Sequence, residues 1–410
     1  MAYVKVMAFI CMFCGLLPPH AGALRTMSEK VTSCTPTVVQ PDRLTHEFQQ
    51  GTMVFGIQMC NDHTPDPSRP SDGLIRSYVR QLRQTSVLLK SMAMFTKKTF
   101  HITVVSDGNK SFRDVVNVVE SWPHHKCEQI SFSQHEMSYP PEAVFLKYKN
   151  RPCSSQRHFF PQTFPQLGRI INLDTDVMLL SAIEDLWQYF SEFNERQVIG
   201  MSAMIFAVDN RFRNFPKPHH EGLDDGINTG ISLFDLDRWR SSFPNYTTQV
   251  IEHYKMYGNF FVFPTQDIFN VWLGMYPDVY YDLPCNWNVR PTLCAQRTRT
   301  PSVCRRANDE GAKALHGAGG HFVDGTRIYT DMFKAFETHD MAKGTIKTLI
   351  SKIRFNMEST STNELRGGAN ADAEVAQDVY ELGPHMNCKT ILGRDGMNEV
   401  FFKRLNNLWS

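Results

Sequence analysis

An excess of charge of either sign is missing: 43 Lys and Arg stand against 42 Asp and Glu. Without a net electropositive field the chain has no basis for holding a polyanion, so no nucleic acid is expected as a partner. Long apolar runs are also missing, apart from one at the start, which excludes a protein with several membrane spans. No internal repeat is found. Zinc-knot spacing is absent where it would be sought, because Cys285, Cys294 and Cys304 lie in a Pro- and Arg-rich segment with no histidine at the required interval. What is present excludes global disorder: 42% hydrophobic and 12% aromatic residues over 410 positions supply a large core.

The apolar run from Val6 to Leu17 follows Lys5 and precedes Ala21-Gly22-Ala23. At about twelve residues it is short for a bilayer span, and the small triplet suits a signal peptidase. Residues 1–23 therefore read as a signal peptide or a short signal anchor, placing the rest of the chain in the secretory lumen. Two of the ten cysteines, Cys11 and Cys14, fall in this leader, and the other eight can pair in an oxidising compartment. A local bridge within 285–304 is favoured over a metal knot. Asn109-Lys110-Ser111 and Asn245-Tyr246-Thr247 are acceptor triplets for N-glycans.

Residues 24–50 are polar and irregular and read as a stalk; residues 342–410 read as an extension without legible function. Between them, strand character at 52–59 precedes a helix capped near Ser71-Asp72 and running to about Phe95. Further strands are predicted at 99–105, 129–132, 169–173 and 227–236, with helices at 115–122, 237–257 and 265–276. Strands alternating with helices imply an α/β fold with a mostly parallel sheet over residues 51–341.

The strand Ile170-Ile171-Asn172-Leu173 ends in Asp174-Thr175-Asp176. In extended chain the two carboxylates project to one side, where they repel unless a cation neutralises them. Hard oxygen ligands suit Mn or Mg, and such ions keep open positions for the phosphate oxygens of a substrate. Ligands of α/β sheets also collect beyond the carboxyl ends of the strands. Other candidates have ordinary readings when taken singly. Arg157 reads as a surface cation, Asn228-Thr229-Gly230 as a turn, Gln266 and Asp267 as first-turn helix residues, and His316-Gly317 as a loop.

Together and in order, these pieces resemble the glucoside xylosyltransferases of glycosyltransferase family 8. The resemblance is carried by Leu88-Leu89-Lys90-Ser91, Cys153-Ser154-Ser155-Gln156-Arg157, Leu173-Asp174-Thr175-Asp176-Val177, Asn228-Thr229-Gly230, Gln266-Asp267, Leu283-Pro284-Cys285-Asn286-Trp287-Asn288-Val289-Arg290-Pro291 and Leu315-His316-Gly317. The Pro-Cys-x-Trp-Asn-x-Arg-Pro block is its most specific part. It implies a GT-A nucleotide-diphospho-sugar transferase fold, a Rossmann-like mostly parallel mixed sheet with flanking helices. It further implies retaining transfer of xylose from UDP-xylose onto glucose O-linked to EGF-like repeats, in the Golgi or ER, behind either a type II anchor or a cleaved leader. By the same resemblance Asp174, Asp176 and His316 bind Mn2+, and Arg157, Lys90 and Gly317 lie against the donor with Asp174. Gln266, Asn228 and Asp267 belong to the reacting set.

Two departures stand out. Family members carry Asp-Gln-Asp where this chain has Thr265-Gln266-Asp267, which removes a carboxylate, and after His316-Gly317 it runs Ala318-Gly319-Gly320-His321 without bulkier polar residues. The alternatives are a transferase of this family with another UDP-sugar or acceptor, or a non-catalytic carbohydrate-binding protein of the same fold.

Overall fold

The computed structural model describes residues 34–60, 71–148, 153–204, 214–218, 226–291, 304–324, 327–353 and 355. The leader, Asp224, Asp225, Cys294, Cys388 and the tail beyond residue 355 lie outside the described residues. The strands are β1 (Thr37–Val38), β2 (Met53–Met59), β3 (Phe100–Ser106), β4 (Ile130–Glu136), β5 (Arg169–Leu173), β6 (Val177–Leu179), β7 (Ile199–Ala203), β8 (Ile227–Asp235), β9 (Tyr280–Asp282) and β10 (Ala314–His316). Eight of them form one sheet in the order β1-β4-β3-β2-β5-β8-β7-β9, while β6 and β10 form a small sheet of their own. From β1 to β5 neighbours run parallel; β8 then runs antiparallel to both β5 and β7.

Helices Ser71–Met94 and Asn109–Glu120 supply the connections β2 to β3 and β3 to β4. Because both faces of this sheet are covered, its inner strands read as continuous runs rather than alternating ones, and every residue of β3 and β8 is buried. The period of two survives in where neighbours go. Phe55, Val104, Ile171 and Leu233 join one apolar cluster, while Val54, Val105, Ile170 and Phe234 join another on the opposite face. The helix expected at 237–257 is two, Leu236–Ser242 and Tyr246–Tyr257. Pro244 stands between them, lacks an amide hydrogen and drives the residue before it out of helical geometry.

The folded unit reaches further at both ends than composition implies. Cys34 is bonded to Cys127, β1 pairs with β4, and His46–Gly51 is helical, so the stretch read as a stalk is structured from Cys34 onward. At the other end, Leu349, Ile350 and Ile353 are buried against helix Arg327–Glu337 in a third cluster with Met178 and Leu315 of the small sheet. Two further disulfides are formed. Cys285–Cys304 is the expected local bridge, and Cys60–Cys153 ties the end of β2 to the segment carrying Arg157.

Two buried histidines and a third that is partly buried set an acid limit on stability. Burial pushes His101 and His158 down to about 3 and His135 down to about 4. Both ring nitrogens of His101 lie 2.8 Å from hydroxyls, those of Ser131 and Ser133. An unfolded histidine titrates near 6.5, so below that pH the unfolded chain binds protons that the folded one refuses, and stability falls as pH falls. Urea unfolding is expected to lose up to about 1.4 kcal/mol per pH unit for each such histidine between about pH 6.5 and about pH 5. A flat profile over that window would contradict the neutral burial of these rings.

Candidate active site

At the carboxyl end of β5 the chain turns sharply into β6, leaving Asp174-Thr175-Asp176 between the two sheets. The turn is closed by the Val177 N–H donating to the Asp174 carbonyl at 3.1 Å, and the Asp174 N–H donates to the Gly230 carbonyl at 2.8 Å. The acids therefore converge through a turn, not by the alternation of an extended chain. β10 runs antiparallel to β6 with His316 opposite Val177, which delivers the imidazole from 140 residues downstream of Asp176. Ligand atoms of Asp174, Asp176 and His316 all lie within 4.8 Å of one another. His316 Nε2 is 3.3 Å from Asp176 Oδ1 and 3.8 Å from Asp174 Oδ2. Side-chain exposure rises from 4% at His316 through 12% at Asp176 to 29% at Asp174, so the group is most open to solvent at Asp174.

Arg157 is buried behind this group. Its guanidinium donates to Asp174 Oδ1 at 2.6 Å, to Gln58 Oε1 at 3.0 Å and to the Thr229 carbonyl at 2.8 Å, and its Nε donates to the Ser154 carbonyl at 3.0 Å. Its bond to Asp174 Oδ1 leaves Oδ2 as the oxygen nearer His316. From the other side of the imidazole a row of amides leads away. His316 Nδ1 lies 2.9 Å from Asn288 Oδ1, Asn288 Nδ2 donates to Asn228 Oδ1 at 2.8 Å, and Asn228 Nδ2 donates to Gln266 Oε1 at 3.0 Å. Gln266 Nε2 in turn reaches Met204 Sδ at 2.7 Å.

A divalent cation fits this donor set. Two carboxylate oxygens and one imidazole nitrogen lie within 4.8 Å of one another, and hard oxygens with a borderline nitrogen suit a divalent metal ion. Gly230 shows how tightly the imidazole is held, since a Cβ there would lie 2.3 Å from His316 Cε1.

Several residues placed at the site by resemblance also make contacts that hold the fold. Lys90 Nζ donates to the carbonyls of Phe336, Glu337 and His339, closing the end of helix Arg327–Glu337. These bonds cap the end of that helix. Asp267 is buried and its Oδ2 accepts from the N–H groups of Val262 and Phe263, fixing the loop before helix Pro264–Met275. Gly317 sits beside the triad, but its N–H donates to the Asp176 carbonyl at 2.8 Å, and a side chain there would meet the Phe322 ring. Thr265, at the position of the lost carboxylate, has its hydroxyl 3.0 Å from that of Ser154.

Sequence reasoning misses Asn288 and Gln58 as parts of the site. Asn288 lies inside the most specific block without an assigned role. Gln58 and Asn172, hydrogen-bonded to each other, are amides in otherwise apolar buried strands, and that contrast is the available signal.

A mixed α/β sheet with two acids and an imidazole gathered at its carboxyl edge defines the class, a glycosyltransferase of GT-A fold. The chain belongs to Glycosyl transferase family 8, whose sequence profile matches residues 43–316. It is similar to Glucoside xylosyltransferase 2 of Xenopus laevis, at 28% identity over 291 residues, covering 67% of this chain and 66% of that protein. Glucoside xylosyltransferase 1 of Danio rerio is 29% identical over 298 residues, covering 69% and 70%. The apo crystal structure of mouse xyloside xylosyltransferase 1 superposes with a TM-score of 0.47 at 18% identity, over 65% of this chain and 98% of that one. The match to the Xenopus laevis relative thus spans just under two thirds of its length.

Proposed function

We propose that this chain transfers xylose from UDP-xylose, with retention, onto glucose O-linked to EGF-like repeats in the secretory lumen, using Mn2+. The observation that carries the reading is the continuity of the site. The triad Asp174, Asp176 and His316 is joined through Asn288 to the buried amides of Asn228 and Gln266 in one hydrogen-bonded network, which supports setting the diphosphate at the triad and the sugar at the amides. The Xenopus laevis and Danio rerio relatives are glucoside xylosyltransferases by name, which supports the donor sugar. Three disulfides among the described residues support an oxidising lumen. Among the described residues no helix is long and apolar enough to cross a membrane, and the leader that would export or anchor the chain lies outside them.

Asp174, Asp176 and His316 would hold the ion. When bound, Mn2+ supplies Lewis-acid neutralisation of the charge that grows on the departing UDP. The protein's own groups do the rest by position. Arg157 fixes Asp174, and Gly230 leaves room for the imidazole. Gln266 offers an amide where retention by double displacement would need a carboxylate, and an amide is a poor nucleophile. Asp267, the nearest acid in sequence, has Oδ2 engaged by backbone N–H groups. The reading is therefore front-face attack: the acceptor hydroxyl enters on the side from which UDP leaves, and a leaving phosphate oxygen takes its proton. Gln266 and Asn228 steady the oxocarbenium-like centre.

The test is a panel of UDP-xylose, UDP-glucose and UDP-galactose against an O-glucosylated EGF-like repeat, with and without Mn2+. Transfer of xylose alone, and with Mn2+ alone, is the expected result. Transfer of a different sugar would replace the donor, because exclusion of a CH2OH group is worth only about 1–3 kcal/mol. Silence with every donor, combined with glycan binding, would leave a carbohydrate-binding protein in which the change at Thr265 abolished turnover.

A further inference from the structure

We propose that Asn288 is a positioning residue that sets the tautomer of His316, so that a bare Nε2 faces the two acids. The proposal rests on the reading that the triad holds a dication, and it goes beyond that reading by naming what prepares the imidazole. Amide and imidazole orientations follow from the groups around them, and here one group has a fixed sense. The backbone N–H of Gly230 can only donate, and it points at the Asn228 side chain at 3.0 Å, so the atom there is Oδ1. Asn228 Nδ2 then faces Gln266 and donates to it.

The same Oδ1 lies 2.8 Å from the Asn288 side chain, which must present its NH2 group. Asn288 Oδ1 is thereby turned to His316 Nδ1 at 2.9 Å, and an oxygen acceptor requires a hydrogen on that nitrogen. A neutral imidazole protonated at Nδ1 carries a lone pair on Nε2, which here points between Asp176 Oδ1 and Asp174 Oδ2. Three lone-pair donors facing one another are what a cation satisfies. Metal-bound histidines are commonly held through their second nitrogen by such a partner.

Asn288 is well placed for the task because the segment that carries it is anchored on both sides. It follows the turn Cys285–Trp287, which is tied down by the Cys285–Cys304 disulfide and the fully buried Trp287. It precedes Val289, whose carbonyl accepts from the His316 N–H at 2.9 Å and whose N–H donates to the Ala314 carbonyl at 3.1 Å. Backbone and side chain therefore hold His316 from the same short segment. The Pro-Cys-x-Trp-Asn-x-Arg-Pro block is explained as the mount of this asparagine.

The test uses the full chain, labelled with 15N-histidine and free of metal, and reads the tautomer of the neutral His316 ring, assigned by the resonances lost in His316→Gln. Hydrogen on Nδ1 is expected; hydrogen on Nε2 overturns the proposal. In parallel, the affinity for Mn2+ in the presence of UDP is followed by the electron paramagnetic resonance of free Mn2+. Asn288→Leu is expected to weaken binding about 10–100-fold. Asn288→Asp keeps an acceptor for the Nδ1 hydrogen but loses the donor to Asn228 Oδ1, so it is expected to lose clearly less affinity than Asn288→Leu and to keep the hydrogen on His316 Nδ1; equal loss in both variants together with hydrogen on Nε2 would mean that the residue serves only packing. If the tautomer and the Mn2+ affinities come out as expected while no sugar is transferred, the functional reading fails and the role of Asn288 stands.

Discussion

Asp176→Asn is expected to lower Mn2+-dependent UDP release from UDP-xylose by about 10²–10³, the loss associated with removing one group that stabilises developing charge. The substitution keeps the size of the side chain and removes only its charge. The backbone around it has its own anchors, with the Asp176 carbonyl accepting from Gly317 and the turn closed by Val177. The fold should therefore survive, and its urea midpoint should stay near that of the parent. What changes is the dication site, which loses one of two anionic oxygens and is left with Asp174, already shared with Arg157. Weaker binding should be offset in part by more Mn2+, so the ion concentration for half-maximal rate should rise along with the loss of maximal rate. A variant within a few-fold of the parent at all Mn2+ concentrations would show that the carboxylate is not an ion ligand.

How much of this arrangement can be read without coordinates depends on the range of the forces involved. The runs at β2 and β5 announce themselves as largely apolar, as strands buried on both faces commonly are, and β3 and β8 do so through Phe100, Ile102, Val104 and Val105 and through Ile231, Leu233 and Phe234. Asp174 and Asp176 are legible for the opposite reason, as charge at the end of such a run. The small sheet is not legible: β6 and β10 have three residues each, too few for a periodic pattern, and their pairing joins positions far apart in the chain. Hence His316 is reached through family resemblance, whereas the reason it lies near the acids is the β6–β10 register.

Lys90 shows the limit from the other side. A lysine in a family motif says nothing of which carbonyls its ammonium will meet, and helix Arg327–Glu337 that supplies them is more than 200 residues away in sequence. The amides are the subtler case. Asn228, Gln266 and Asn288 are each ordinary in isolation, yet one obligate donor, the Gly230 N–H, orders all three. Such order is a property of contacts, and composition carries no trace of it.

Gly230→Ala should be nearly as damaging as loss of a ligand, although it touches no charge. A methyl group at this position would lie 2.3 Å from Cε1, 2.4 Å from Nδ1 and 3.0 Å from Nε2 of His316, well inside contact distance for the first two atoms. Gly230 lies where β8 bulges opposite Met201 and Ser202, and there its carbonyl accepts from the Asp174 N–H at 2.8 Å and its N–H donates to Asn228 Oδ1 at 3.0 Å, so both backbone groups are tethered against a retreat. The imidazole must move instead, and a shift of about 1 Å at such a site can lower the rate about 100-fold. Overpacking should also reduce stability by about 1–3 kcal/mol. Gly51→Ala is the control, since nothing lies within 4 Å of a Cβ there. The decisive measurement is the cycle with His316→Ala: once the ring is gone, adding a methyl at position 230 should leave the urea midpoint almost unchanged. A persistent stability loss in that background would place the clash elsewhere and remove the argument that glycine is required here to make room for a metal-binding imidazole.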